Sequence, residues 1–244
     1  MPPEFRHILW NIRGFQPAYT FQRFLQGKRR ILILGETSGR DSHFFSSLGR
    51  DVYAVDIVVG PYKVDRLTIA DITKPLPFPA KHFDAIIMSE ILEHVIDDVV
   101  ALKEAQRVLS DDGLLAVSVP FCSDWPGIHL RLHSASTIRA LLEYSGFTIE
   151  EMFESSTWIQ TWHYAIQLLC TIVFHTARTL NLVRDRDEVY LPILTFIANK
   201  DFANIGWRRQ SRYHGAHIYI KARKGLPANF LNLQVEWFSK VSTR

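Results

Sequence analysis

The residues best suited to chemistry fall between positions 35 and 133. Gly35 and Gly39 follow a short apolar run, and a glycine turn lets the backbone approach a ligand with no Cβ in the way. Asp56 and Asp71 each end an extended stretch, where a carboxylate can accept hydrogen bonds from hydroxyl or amino groups. Ser89-Glu90-Ile91-Leu92-Glu93-His94 then brings two carboxylates and an imidazole together. Such a set suits a hard or borderline divalent cation with positions left for substrate oxygens. Equally, Glu93 and His94 read as residues that cap and orient the following helix, and no residue is assigned as a metal ligand. His129 and His133 have the ionisation range to deprotonate an attacking hydroxyl or amine, though loop histidines are more often ordinary hydrogen-bonding residues.

The elements that must position these groups alternate between strand and helix patterns. Arg30 to Gly35 is a short apolar run ended by glycine, as in a buried parallel strand. A helix over 41–48, with Phe44, Phe45 and Leu48 inward, leads to a second strand over 52–56. A third runs over about 66–70 and a fourth over 83–88. The helix after it holds Val95, Val99, Leu102, Ala105 and Leu109 near one face, before a turn at Asp111-Asp112-Gly113. A fifth strand spans 114–119, a helix 134–145 ends at Gly146, and a sixth strand starts at Phe147. Alternation of this kind predicts a mostly parallel sheet covered by helices on both faces, with ligands at the carboxyl ends of the strands near a switch point. That rule gathers Gly35 to Gly39, Asp56, Asp71 and Ser89 to His94 around one crevice.

Composition agrees with a globular α/β chain. In 244 residues, 47% are hydrophobic and 22% charged, which excludes disorder and fibrous repeats. Cys122 and Cys170 cannot make a disulfide framework and have no C-x-x-C spacing, so a reducing cytoplasm is the expected compartment. The start of the chain has no apolar leader pattern, which reads as not secreted. Lys and Arg concentrate in residues 1–30 and 201–244, leaving the middle acidic; basic ends of this kind are either solvated faces or contacts for an anionic partner.

Several motifs together resemble the class I S-adenosylmethionine-dependent methyltransferases, in particular the small-molecule group. They are Asp71-Ile72-Thr73-Lys74-Pro75-Leu76-Pro77-Phe78-Pro79, Phe83-Asp84, Ser89-Glu90-Ile91-Leu92-Glu93-His94-Val95, Arg107-Val108-Leu109 and Gly146-Phe147. The resemblance covers about residues 29–153. It implies a Rossmann-like seven-stranded sheet whose last strand is antiparallel, and S-adenosylmethionine as cofactor. It further implies that Asp56, followed by Ile57, takes the ribose and that Asp71 with the Ile72 backbone takes the adenine. Gly35, Glu36 and Gly39 would form the loop at the amino acid end, with Ser89 and Glu90 beside it; His94, His129 and His133 are the catalytic candidates. The glycine loop departs from the pattern, with Ile33 at the acid position and Thr37 at the middle glycine. Two readings follow: an active methyltransferase acting on oxygen, or nitrogen, of a small-molecule, glycan or lipid acceptor, and a non-catalytic methyltransferase-like interaction module. A nicotinamide oxidoreductase ranks below both, because no intact G-x-G-x-x-G is present.

The expected seventh strand, 217–222, lies about 60 residues beyond the sixth. The expected organisation is therefore an N-terminal helical segment over 1–28, a Rossmann-like core over 29–155 and 206–224, and a helical cap insertion over 156–205. Ser155 to Ala177 contains no Asp, Glu, Lys or Arg, yet its Gln, His and Thr content is too high for a membrane span. It reads as a buried cap helix, or as a helix docked on a bilayer or a lipid tail. Peripheral membrane contact and a partly membrane-associated location are thus open expectations beside the cytoplasmic one. The basic stretch 207–212 suits phosphate or carboxylate, and no nucleic-acid-binding module is recognisable.

Overall fold

The structure, a computed structural model, describes residues 11–120, 129–155, 157–204 and 217–228. The elements in chain order are α1 (Ile12–Phe24), β1 (Arg30–Leu34), α2 (Arg40–Ser47), β2 (Asp51–Asp56), β3 (Leu67–Ile69), β4 (Phe83–Ser89) and a 3-10 turn (Leu92–His94). They continue with α3 (Asp98–Val108), β5 (Leu109–Pro120), α4 (Ala135–Tyr144), β6 (Phe147–Glu154), α5 (Thr157–Thr179), α6 (Asp187–Asn204) and β7 (His217–Lys224). The strands form one seven-stranded sheet in the order β3-β2-β1-β4-β5-β7-β6. Pairs among β1 to β5 are parallel, and β7 runs antiparallel to both β5 and β6.

β1 sits at the centre of the parallel part because Ile31, Leu32, Ile33 and Leu34 are buried on both faces of the sheet. Alternation along the strand divides them. Leu32 and Leu34 join Val55, Ile86, Met88, Leu102 and Leu115 in one core layer, under α3 and α4. Ile31 and Ile33 join Ala85, Ile87, Phe45, Phe21 and Phe24 in the other, under α1 and α2. Chain order reverses between β1 and β4, so a switch point lies at their carboxyl ends.

α1 links this second layer to a third cluster. Phe21 and Phe24 face the sheet, while Ile12 and Phe15 pack with Ile166, Cys170 and Phe174 of α5 and Tyr190, Leu194 and Ala198 of α6. The expected apolar residues Phe15, Phe21 and Leu25 are buried as the helix reading requires, while Phe5, Leu9 and Trp10 lie outside the described residues. Also outside them are Cys122 and the basic stretch 207–212.

Two local expectations are corrected. The helix expected over Val95 to Leu109 is shorter: the chain makes a 3-10 turn, becomes extended at Val95 and enters α3 only at Asp98, while Leu109 already pairs with Phe83 in β5. Both residues are buried in the first core layer, so their apolar spacing records a shared core and not a shared helix. The turn at Asp111 to Gly113 is a bulge inside β5, since Leu109 faces Phe83 and Leu114 faces Ala85. α4 begins where its capping box places it: Ser134 Oγ accepts from Thr137 N–H at 3.2 Å and Thr137 Oγ1 accepts from Ser134 N–H at 2.8 Å.

Candidate functional site at the switch point

The loop after β1 crosses the carboxyl end of the sheet in contact with the loop after β4. Gly35 has φ of 82°, and a Cβ there would stand 2.7 Å from Ile91 Cγ1. Only glycine fits both the left-handed backbone and this approach. Gly39, at φ 70°, starts α2.

Between them, Glu36 is buried and its carboxylate receives Ser42 N–H at 3.3 Å. Burial, with the charge of Asp41 adding to it, pushes this carboxyl up to about 8, although Arg40 and the α2 amides pull the other way. Thr37 Oγ1 donates to Asp56 Oδ2 at 2.8 Å, and Val58 N–H donates to Asp56 Oδ1 at 3.1 Å. Asp56 thus ends β2 buried and already oriented, whereas Ile57 beside it is 69% exposed. Ala70 N–H donates to the Asp56 carbonyl at 2.9 Å and so brings the Asp71 turn alongside. Asp71 Oδ1 accepts from both the amide and the hydroxyl of Thr73, which hold its carboxyl below the usual range. The Ile72 side chain is buried in the core, so the role implied for Ile72 falls to its backbone.

On the β4 side, Arg40 makes a two-pronged ion pair with Asp41 at 2.9 and 2.7 Å and donates to Ser89 Oγ at 2.8 Å. Ser89 Oγ in turn lies 3.1 Å from Ser118 Oγ on β5. Burial works against the Arg40 charge, but Asp41, Glu90 and Glu36 outweigh it and raise its ionisation above the ordinary arginine value. Glu90 follows in a left-handed conformation, φ 52°, and its carboxylate meets His217 Nε2 at 3.1 Å. Burial alone would raise the Glu90 carboxyl; hydrogen bonding and charge from His217, then Arg40 and His129, hold it at about 2. Strain at a non-glycine residue that is pinned on both sides is a feature of sites where geometry is prescribed.

Beyond Glu90 the 3-10 turn carries Glu93, whose side chain is 2% exposed, and half-buried His94. Burial, with Glu90 adding, pushes the Glu93 carboxyl up to about 8. The Glu93 carbonyl accepts from Leu130 N–H at 2.8 Å and Arg131 N–H at 3.3 Å, which docks the 129–133 segment on the turn. That places the His129 ring 5.1 Å from the His94 ring. One ligand atom from each of Glu93, His94 and His129 can be drawn within 4.8 Å of the others.

His133 departs from this group. It is 4% exposed, interacts with the Leu92 backbone and the Asp98 charge, and burial lowers its ionisation. It is not among the ligand atoms that Glu93, His94 and His129 bring together. Residues that sequence reasoning passed over are Arg40, Ser118, His217 and Gly60. A Cβ on Gly60 would stand 1.9 Å from the Thr37 carbonyl oxygen, so the segment after Asp56 lies directly on the glycine loop.

Residues 32–117 match the family model described as a methyltransferase domain. No curated protein matches the chain. Among solved structures it is similar to phospholethanolamine N-methyltransferase 2 of Haemonchus contortus, with 16% identity, TM-score 0.57 and coverage of 86% of this chain but 52% of that one. A methyltransferase of Archaeoglobus fulgidus has 17% identity and TM-score 0.56 over 87% and 94% of the two chains. The 1,6-didemethyltoxoflavin-N1-methyltransferase of Burkholderia thailandensis has 17% identity and TM-score 0.54 over 92% and 91%. At such identities the structural likenesses speak for the fold, and the matched segment contains Gly35, Asp56, Asp71 and Glu90. Residues 32–117 thus match a methyltransferase domain, and the chain has the fold of S-adenosylmethionine-dependent methyltransferases.

Proposed function

We propose that the protein transfers a methyl group from S-adenosylmethionine to an oxygen, or to a nitrogen, of a small-molecule, glycan or lipid acceptor. The observation that carries this reading is the buried Asp56 carboxylate, held by Thr37 and Val58 at the end of β2 and next to the close-packed Gly35 turn. A carboxylate fixed at a strand end suits the paired hydroxyls of a ribose, and a turn with no Cβ admits the rest of the cofactor. The cofactor's sulfonium supplies an electrophilic methyl group.

The chain's own groups then divide the remaining work. Asp71 and the Ile72 backbone take the adenine, while Gly35, Glu36, Gly39, Ser89 and Glu90 surround the amino acid end. Arg40, held beside Ser89, adds a positive charge where a carboxylate of the cofactor would lie. His129 and His94, whose rings lie 5.1 Å apart, are the groups that would take the proton released as a hydroxyl or amine attacks. Alignment of nucleophile and methyl group supplies much of the acceleration. Within the acceptor range, the outward face of α5 favours a lipid-borne one, because Trp162, Leu168, Leu169 and Ile172 are exposed on a helix with no Asp, Glu, Lys or Arg before Arg178. That face supports peripheral contact with a bilayer. Among the described residues no helix is long and apolar enough to cross a membrane.

The experiment is calorimetric titration with S-adenosylmethionine and S-adenosylhomocysteine, followed by acceptor screening with a labelled methyl donor. Tight binding that Asp56→Ala abolishes is the expected result. Failure of the folded protein to bind either compound would favour the interaction-module reading instead.

A further inference from the structure

We propose that Glu93, His94 and His129 form a binding site for a divalent first-row transition cation of the zinc type. Their ligand atoms can all lie within 4.8 Å of one another, a spacing that a single ion can bridge. The composition, one carboxylate and two imidazoles, suits a borderline cation better than calcium or magnesium, which prefer all-oxygen sets.

A second, independent observation points the same way. Neither oxygen of the Glu93 carboxylate has a hydrogen-bond partner, although the side chain is 2% exposed. His94 Nε2 lies 3.8 Å from Glu93 Oε1, too far for a hydrogen bond. A buried carboxylate without hydrogen bonds costs several kcal/mol, of the order of 3, and a bound cation would remove that cost.

The backbone holds the third ligand in place. Leu130 and Arg131 N–H groups both donate to the Glu93 carbonyl, and Arg131 pairs with Asp98 at 3.0 Å, so the segment that carries His129 is fastened to the turn at Glu93 and to the start of α3. Glu90 is left out of the set because His217 occupies its carboxylate. Three protein ligands on a half-buried rim leave coordination positions open. An acceptor oxygen placed there would be polarised next to the methyl donor, a Lewis-acid role that replaces proton uptake by the two coordinated imidazoles; this last step rests on the methyl-transfer reading, whereas cation binding does not.

The test uses the full chain, stripped with chelator, titrated with Zn²⁺ by calorimetry and with Co²⁺ by visible absorption. One equivalent should bind, with d–d bands from Co²⁺. Glu93→Gln and His129→Ala should each weaken affinity by about tenfold or more, since even outer-shell changes at metal sites cost about that. His43→Ala, whose ring contacts the Lys63 carbonyl at 2.7 Å, should leave binding unchanged. Circular dichroism and melting curves identify any variant that fails to fold, and His129→Ala, on a loop, stands in if Glu93→Gln does. Absence of saturable binding by folded wild-type protein overturns the site, as does binding that the folded variants retain. S-adenosylhomocysteine titration of the same samples separates the two ideas: cofactor binding without cation binding defeats only the metal site, and the converse defeats only the methyl-transfer reading.

Discussion

Thr37 Oγ1 donates a 2.8 Å hydrogen bond to Asp56 Oδ2, so the residue that interrupts the glycine pattern is the partner of the acid proposed to bind ribose. The main chain of Thr37 is engaged as well, because Gly60 approaches its carbonyl too closely to admit a Cβ. Ile33, at the other departure, is buried in the layer beneath α1 and α2. Both substitutions are absorbed by packing and hydrogen bonding, which argues for a rebuilt loop.

The hydroxyl of Thr37 is therefore expected to matter more than its methyl group. Hydrogen bonds to charged groups contribute about 1.5–3 kcal/mol, so Thr37→Val should weaken S-adenosylhomocysteine binding by roughly tenfold or more. Thr37→Ser should bind nearly as wild type. Calorimetric titration of the two variants decides it, and equal affinity for Thr37→Val and wild type would remove Thr37 from the site.

Glu36 gives a pH-dependent prediction. Its carboxyl titrates near 8 in the folded protein against an ordinary 4.5, because burial and Asp41 disfavour the charge. The folded state holds this proton more tightly than the unfolded state, so the resulting stability is full below about 4.5 and is lost as pH rises through 8. Glu36→Gln, which stays neutral, should melt close to wild type at pH 5 and higher than wild type at pH 9, by about 3 °C or more for a chain of this size. Paired melting curves across that range, without cofactor, measure the difference. A constant offset at all pH values would mean that Glu36 does not titrate there.

The central strands were legible because burial on both faces turns a strand into an uninterrupted apolar run, as in Ile31 to Leu34. The Gly35 turn and Asp56 were legible because each follows directly from the end of such a run. Contacts between distant segments were not. Arg40 meets Ser89 across 49 positions, and Glu90 meets His217 only because Ser89 pairs with Ser118 while Pro120 pairs with His217 on the next strand. No local spacing encodes that register. His133 looked like its neighbour His129 in sequence, yet docking of the loop on the Glu93 carbonyl leaves one half-buried beside His94 and buries the other.

α1 should behave as part of the sheet's core and not as an appendage. Phe21 is fully buried, edge-on to Tyr219 at 6.0 Å between ring centroids. Phe21→Ala removes a buried aromatic ring and should cost about 3–5 kcal/mol, which lowers the melting temperature by roughly 10 °C. Denaturant unfolding gives the energy directly. A loss under 1 kcal/mol would show that α1 contributes little to the fold.

The exposed face of α5 separates the lipid reading from a freely soluble acceptor. Residues 155–177 have no charged side chain, one helical stripe packs His163, Ile166, Cys170 and Phe174 inward, and the opposite side leaves Leu168, Leu169 and Ile172 each more than half exposed. A helix in contact with water alone would place charge there. Burying an aliphatic side chain contributes roughly 1.5–3 kcal/mol, so the double substitution Leu169→Asp and Ile172→Asp should lower vesicle association by about tenfold or more. The melting temperature should barely move, because neither side chain supports the core. Co-sedimentation with vesicles of phosphatidylcholine and phosphatidylglycerol provides the measurement. Wild-type protein that stays in the supernatant, or a variant that sediments equally, would leave the apolar face without a role at a bilayer and point the acceptor search toward soluble molecules.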